Sequence, residues 1–349
     1  MRPVELRPDL QDLPPYRAPQ IPAEVRLNTN ESPLSPPAGF MTTLQRLLSG
    51  IEFNRYPDRE LTELRSGLAK RFDRDADSVW VANGSNEILQ TILLAFGGPE
   101  RSLLVFEPTY AMYRQLARVS MTRFLAAEIA EPWELDADTV QAAVSEHDPE
   151  LILLCSPNNP TGRSVSQEVI QAALDAGRGL VVVDQAYGEF GGASAEELLS
   201  DNERLVCVRS FSKSWRLAGA RLGYAISHPW FVEALQVARL PYHLSALSQA
   251  VGRAALEHAD ELLSGCSQIS GERDRVAAAL TEMAVKVWPS DANFLLLRTN
   301  REAGQLWRAL AERGVLVRDF SSQIPGTLRV TISTREENDR FLEALRGAI

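Results

Sequence analysis

Leu205-Val206-Cys207-Val208-Arg209-Ser210-Phe211-Ser212-Lys213-Ser214-Trp215 is the stretch from which the rest of the chain can be read. Its first four residues form a short apolar run, as a strand covered on both faces requires. Just beyond stands a lysine flanked by hydroxyls and an indole. The chain carries three lysines against 33 arginines. Arg serves equally well as a surface charge, but only Lys can lose its proton and act as an amine. Lys70, beside Arg71 on a helix-period segment, and Lys286, between two valines, read as ordinary solvated positions. Lys213 follows a strand and is placed to form a Schiff base with an aldehyde cofactor. Taken alone, a loop lysine is the commoner reading; the neighbouring motifs decide against it.

Working outward, the same arrangement recurs. Val79-Trp80-Val81-Ala82 leads to a helix from about Asn86, and Ser102 to Phe106 leads to one from about Tyr110. Leu151 to Cys155 leads through a turn to a helix from Ser166, and Leu180 to Val183 leads to Asp184. Apolar runs separated by amphipathic helices predict an α/β fold with a parallel sheet covered on both sides. Helical spacing also covers Phe40 to Leu48 and Glu60 to Phe72. Residues 1–38, rich in proline, read as an extended N-terminal arm. Pro241 marks a boundary, beyond which come a helical region, 245–284, and strands near 293–297 and 327–332. The expected organisation is an arm over 1–38, a large domain over 39–243 and a small α+β domain over 244–349, the arm packing with the small domain and a partner subunit.

Composition narrows the function. The formal net charge is -10 and no block of Lys or Arg stands out, which argues against nucleic acid and anionic membrane as partners. No apolar run approaches the ~18 residues that span a bilayer, and the first residues lack the apolar core of a signal peptide. Cys155, Cys207 and Cys266 show no metal-ligand spacing and suit reduced thiols of a cytoplasmic protein. His147, His228, His243 and His258 are scattered, so no His-based metal site is expected.

The unusual polar clusters all fall at carboxyl ends of strands, where open α/β sheets bind ligands. Asn83-Gly84-Ser85-Asn86-Glu87 joins strand to helix; Gly84 allows close backbone approach and the helix start suits a phosphate, although a plain turn capped by Ser85 or Asn86 fits equally well. In Ser156-Pro157-Asn158-Asn159-Pro160-Thr161-Gly162 two prolines brace a doubled Asn, which can aim an amide at a ligand oxygen. Asp184 ends an apolar strand and needs a cationic or donor partner; a protonated pyridine nitrogen would serve, and Tyr187 could donate to a ring oxygen. Beyond Lys213, Arg216 and Arg221 follow, and small residues around Arg221 let it be packed as a phosphate clamp.

In order and spacing, Gly84-Ser85-Asn86, Asn159-Pro160-Thr161-Gly162, Asp184 with Tyr187, and Ser210-x-Ser212-Lys213 with Arg221 resemble the class I/II aminotransferase superfamily of fold-type I pyridoxal phosphate enzymes. Further segments resemble its histidinol-phosphate group: Pro15-Tyr16-Arg17-Ala18-Pro19, Leu27-Asn28-Thr29-Asn30-Glu31, Asn54-Arg55-Tyr56-Pro57, Leu240-Pro241-Tyr242-His243-Leu244-Ser245 and Leu328-Arg329-Val330-Thr331-Ile332. Gln185 stands where that family usually has Glu, and Gly188 where it has a larger residue.

The resemblance implies a mostly parallel seven-stranded sheet, pyridoxal 5′-phosphate as cofactor and a homodimer. It implies Lys213 as the catalytic amine, Asp184 at the pyridine nitrogen, and Asn159 and Tyr187 at the ring oxygen. Tyr110 would stack on the ring, and Gly84, Ser85, Asn86, Ser210, Ser212 and Arg221 would hold the phosphate, joined by Tyr56 of the partner subunit. Tyr16, Arg318 and Arg329 would bind substrate. The implied reaction moves an amino group from L-histidinol phosphate to 2-oxoglutarate, giving imidazole acetol phosphate and glutamate. Transamination of aromatic amino acids and decarboxylation of threonine phosphate remain alternatives on the same framework; a cofactor-binding regulator would need a further domain.

Overall fold

In the computed structural model, which describes residues 4–13 and 21–349, strand β1 (Val25–Arg26) precedes seven strands that form one sheet. These are β2 (Val79–Ala82), β3 (Ser102–Glu107), β4 (Arg123–Glu128), β5 (Leu151–Cys155), β6 (Leu180–Asp184), β7 (Leu205–Ser210) and β8 (Gly223–Ser227), in the order β2-β8-β7-β6-β5-β3-β4. All neighbours are parallel except β8, which runs antiparallel to both β2 and β7. The sheet is therefore mostly parallel, as expected.

Helices cover both faces. They are α1 (Ala38–Ser49), α2 (Thr62–Arg71), α3 (Ser85–Phe96), α4 (Met112–Val119), α5 (Ala137–His147), α6 (Gln167–Ala176), α7 (Pro229–Leu235) and α8 (Ala246–Glu257). Alternation along each strand divides the core. Val181 and Val183 of β6 pack with α1, α2, α5, α6 and α8, whereas Val182 between them packs with α3, α4 and α7. Two-sided burial is why β5, β6 and β7 read as unbroken apolar runs. Edge strand β4 is only partly buried and ends in Arg123 and Glu128, and so carries no such signal.

A second sheet has the order β12-β13-β10-β9, all antiparallel, from β9 (Lys286–Val287), β10 (Phe294–Arg298), β12 (Arg318–Asp319) and β13 (Thr327–Thr331). A two-residue strand, β11 (Val315–Leu316), pairs with β1 in parallel, tying the N-terminal segment to this part of the chain. The helical region 245–284 resolves into α8, α9 (Ala259–Leu263) and α10 (Gly265–Glu282), with α11 (Ala303–Glu312) and α12 (Arg335–Arg346) following.

The order of the large sheet places the site. From β3 the chain goes outward to β4 and then returns to β5 on the other side of β3. Such a reversal opens a crevice at the carboxyl ends of the strands.

Candidate active site

A cavity of about 630 Å³ lies at that crevice, between the carboxyl ends of the large-sheet strands and β13. Asn159, Asp184, Tyr187, Lys213, Arg221 and Arg329 line it. So do Ser85, Asn86, Tyr110, Ser210, Ser212 and Arg318, and Gly84 lies directly behind Arg221.

Lys213 stands just past β7, with its ammonium donating to the Thr29 carbonyl at 2.9 Å. Burial, reinforced by the Arg329 and Arg221 guanidiniums and opposed by Glu31, pushes its pKa down to about 8. The other two lysines stay at the surface: Lys70 is exposed, and Lys286 pairs with Glu131 beside Trp288.

Asp184 ends β6 and is 4% exposed. No helix follows it, so it caps none; Oδ2 accepts from the Tyr113 hydroxyl at 2.8 Å and Oδ1 from the Ala186 N–H at 3.1 Å. These donors hold the carboxyl down, but burial outweighs them and raises its pKa to about 6. The carboxylate is thus poised for a cation in the cavity.

At the other end, α3 begins without any side-chain cap, after Gly84 at φ +89°. A Cβ on Gly84 would come within 2.8 Å of the Arg221 Nη2, and one on Gly223 within 2.5 Å of the Ser85 nitrogen. Glycine at both positions lets helix start, strand and guanidinium converge. Arg221 Nη1 donates to Ser212 Oγ at 3.3 Å, and Ser210 Oγ accepts from the Ser212 N–H at 3.1 Å. Backbone N–H groups, hydroxyls and a guanidinium make a donor set for a phosphate.

The doubled Asn divides its work. Asn158 Nδ2 donates to the Pro108 carbonyl and to Thr161 Oγ1, and Oδ1 accepts from Thr109, stitching the loops after β3 and β5 together. Asn159 faces the cavity, where Oδ1 accepts from Arg329 Nη1 at 2.6 Å. Arg329 lies between the rings of Phe294 and Phe320, 5.1 and 4.9 Å from their centroids, and also donates to the Asn28 carbonyl. Arg318 is its cross-strand partner on β12. Tyr110 meets Tyr113 edge-on and accepts from Asn86 Nδ2 at 3.4 Å.

Two expected positions are not brought together with these. Tyr56 is 80% exposed and stacks on Tyr242 with centroids 4.4 Å apart, away from this cavity. Tyr16 lies outside the described residues. Arg216, which shares a sequence segment with Arg221, instead donates to the carbonyls of Ser35 and Glu261.

The structure adds residues to which the sequence assigned no role. Tyr113 is fully buried against Asp184; its only sequence signal is its place one helical turn after Tyr110. Asn28, Thr29 and Asn30 line the cavity from the N-terminal segment. Gln185 and Gly188 also find their reason. Arg209 is buried and already paired with Glu189 at 3.1 Å and Glu196 at 2.5 Å. The neutral Gln185 accepts from it at 3.4 Å, where a third carboxylate would be in excess, and a Cβ at Gly188 would press on its Nη1 at 3.1 Å.

Residues 22–345 match the family model of aminotransferase class I and II. The histidinol-phosphate aminotransferase of Frankia casuarinae is 46% identical over 357 residues, covering 98% of this chain and 89% of that protein. That of Mycobacterium avium is 44% identical over 351 residues, covering 98% of this chain and 88% of that protein. A crystal structure of histidinol-phosphate aminotransferase from Sinorhizobium meliloti in complex with pyridoxal-5′-phosphate superposes with a TM-score of 0.88 at 23% identity, covering 99% of this chain and 97% of that one.

Proposed function

The chain belongs to the class I and II aminotransferases, and from that membership we propose that it transfers the amino group of L-histidinol phosphate to 2-oxoglutarate, with pyridoxal 5′-phosphate as cofactor. The observation that carries this reading is the pairing of Arg318 with Arg329 across β12 and β13, both at the cavity that holds Lys213. Histidinol phosphate brings a phosphate and an amine but no carboxylate, whereas glutamate brings two carboxylates. Two guanidiniums can take either oxyanion. The substrate named for both curated relatives agrees with this chemistry.

The residues fit the cofactor at three points: a buried amine of lowered pKa, a buried carboxylate that needs a cation, and a donor cradle at the start of α3. Pyridoxal 5′-phosphate supplies an aldehyde that captures amines and a cationic ring that withdraws electrons. Lys213 would capture the aldehyde and then, released by the incoming amine, move the proton at the substrate carbon that bears nitrogen. A pKa of about 8 leaves roughly a tenth of that amine unprotonated at pH 7, far more than an ordinary lysine has. Asp184, steadied by Tyr113, would hold the proton at the ring nitrogen. Asn159 and Tyr187 would address the ring oxygen, and Tyr110 the ring face. Ser85, Asn86, Ser210, Ser212 and Arg221 would bind the phosphate.

The active unit is proposed to be a homodimer in which Tyr56 of the partner subunit completes the phosphate site. Phe53, Tyr56, Val237 and Leu240 are large apolar side chains left exposed in the single chain, a surface suited to a second copy. Three buried thiols suit a reducing, cytoplasmic setting.

The deciding experiment compares kcat/KM for histidinol phosphate, phenylalanine and threonine phosphate, with 2-oxoglutarate as acceptor. Histidinol phosphate should lead by at least an order of magnitude. A lead for phenylalanine would make the protein an aromatic aminotransferase, and carbon dioxide release from threonine phosphate would make it a decarboxylase.

A further inference from the structure

Leu27-Asn28-Thr29-Asn30-Glu31 crosses the cavity as a strap, and three successive residues each hold one site residue. The Asn28 carbonyl accepts from Arg329 at 3.0 Å, the Thr29 carbonyl from Lys213 at 2.9 Å, and Asn30 Nδ2 donates to the Tyr187 hydroxyl oxygen at 3.0 Å. The first two contacts use backbone atoms that any residue supplies. The third depends on the Asn30 side chain. Asn30 is 1% exposed and sits at φ +54°, a left-handed conformation that Asn and Gly adopt most readily.

Hydrogen-bond direction can be followed from an unambiguous donor. The Asn30 backbone N–H donates to Thr331 Oγ1 at 3.0 Å. The Thr331 hydroxyl also donates to Asn30 Oδ1, 3.1 Å away. With Asn30 Oδ1 turned to Thr331, the amide NH₂ faces Tyr187 at 3.0 Å, and an NH₂ can only donate. The Tyr187 oxygen therefore accepts from Asn30, and its own proton must point elsewhere. Phe294 meets its ring in a T-shaped contact, and Tyr187 lines the cavity.

We propose that Asn30 is a positioning residue that turns the Tyr187 hydroxyl proton into the cavity, so that Tyr187 serves as a donor to the bound cofactor's ring oxygen. The inference rests on the cofactor reading above and goes beyond it in assigning the cause of that orientation to the strap. Lys213, Asp184, Glu31 and the guanidiniums of Arg114, Arg221, Arg318 and Arg329 are the charged groups around the same space, and none is altered in the test.

The test is a pH titration of the visible absorption of protein reconstituted with pyridoxal 5′-phosphate. Asn30→Gly keeps the left-handed backbone and removes the amide. A donor aimed at the ring oxygen draws negative charge there and lets the chromophore release its proton at lower pH. Losing one hydrogen bond's orientation should thus raise the absorption midpoint by roughly half to one pH unit. Asn30→Asp retains the acceptor for Thr331 but faces Tyr187 with an acceptor, and should raise it at least as far. In a Tyr187→Phe background, Asn30→Gly should produce no further shift, since its effect passes through the missing hydroxyl. An unchanged midpoint in Asn30→Gly, or an equal shift in the Phe background, overturns the proposal. No visible band with the wild-type protein would overturn the cofactor reading, and this inference with it.

Discussion

Tyr113 donates its hydroxyl to Asp184 Oδ2 across 2.8 Å, and both side chains are buried. This one contact joins helix α4 to the end of strand β6. It places a neutral donor beside a carboxylate whose pKa burial has raised to about 6. A buried carboxylate answered only by neutral donors is a liability to the cofactor-free protein and an asset once a cation arrives.

That liability gives a signed prediction. Because the folded pKa of Asp184 lies above its ordinary value, folding favours the protonated carboxyl. The corresponding stability is present at about pH 4 and is lost as pH rises through about 6. Asp184→Asn should therefore stabilise the cofactor-free protein by roughly 3 kcal/mol at pH 8 and by little at pH 4. The same variant should lose turnover by two orders of magnitude or more, as a removed electrostatic stabiliser does. Denaturant melts at the two pH values check the first part, and equal stability at pH 8 would contradict it.

Lys213 carries a second pH signature, with its causes separable. Its amine should react as a group of pKa about 8, well below an ordinary lysine. Reductive methylation of cofactor-free protein, followed by peptide mapping across pH, would compare it with exposed Lys70. Arg329 pushes the pKa down and Glu31 pulls it up. Arg329→Gln should thus move the Lys213 midpoint upward and Glu31→Gln move it downward. Shifts of the same sign in both variants would refute the electrostatic account. Lys213→Arg should retain the fold and lose nearly all turnover, because a guanidinium keeps its proton.

The parts of the molecule that could be read in advance are those where one local rule decides. Val181 to Val183 must be a two-sided strand, and Asp184 at its end must find a partner. Gly84 reads as room for close approach of a ligand; within the chain itself, the group that crowds it is the Arg221 guanidinium. The partner of Asp184 was not legible, because Tyr113 is 71 residues distant in sequence and reaches it only through packing of α4 on the sheet. Strands β4 and β8 were equally hidden: the first is an edge strand with charged ends, and the second opens on Gly223 and ends on Ser227, leaving only three apolar residues between. The Asn28 to Asn30 strap carried a recognisable motif whose roles depend on backbone carbonyls, which no residue type announces.

Subunit sharing is tested by complementation. Tyr56 is exposed in the single chain, stacked on Tyr242, and does not line its own cavity. Mixing a Lys213→Ala chain with a Tyr56→Phe chain should restore part of the activity that each lacks alone, since one of the two hybrid sites then carries neither change. Sedimentation should show a dimer in the same buffer. A fully active monomer, or mixtures no better than the parents, would rule out the shared site.

Arg329 and Arg318 give the last prediction, because they are cross-strand partners with unequal surroundings. Arg329 is buried, flanked by Phe294 and Phe320, and fastened to Asn159 Oδ1 and the Asn28 carbonyl. Its position is therefore set before substrate arrives, and its contact should serve every substrate. Arg318 is only partly buried, at the edge of the small sheet. A charge-assisted contact contributes ~1.5–3 kcal/mol, so losing one should cost roughly tenfold to a hundredfold in kcat/KM. Arg329→Ala should fall in that range for histidinol phosphate and glutamate alike. Arg329→Lys should recover little, since a point charge cannot keep both anchors and bind an oxyanion in bidentate fashion. Arg318→Ala should affect the two donors unequally, because a phosphate and a carboxylate differ in size and charge. Steady-state kinetics with both donors decide the matter: an Arg329→Ala variant that loses only one of them would show that the two oxyanions do not share this guanidinium.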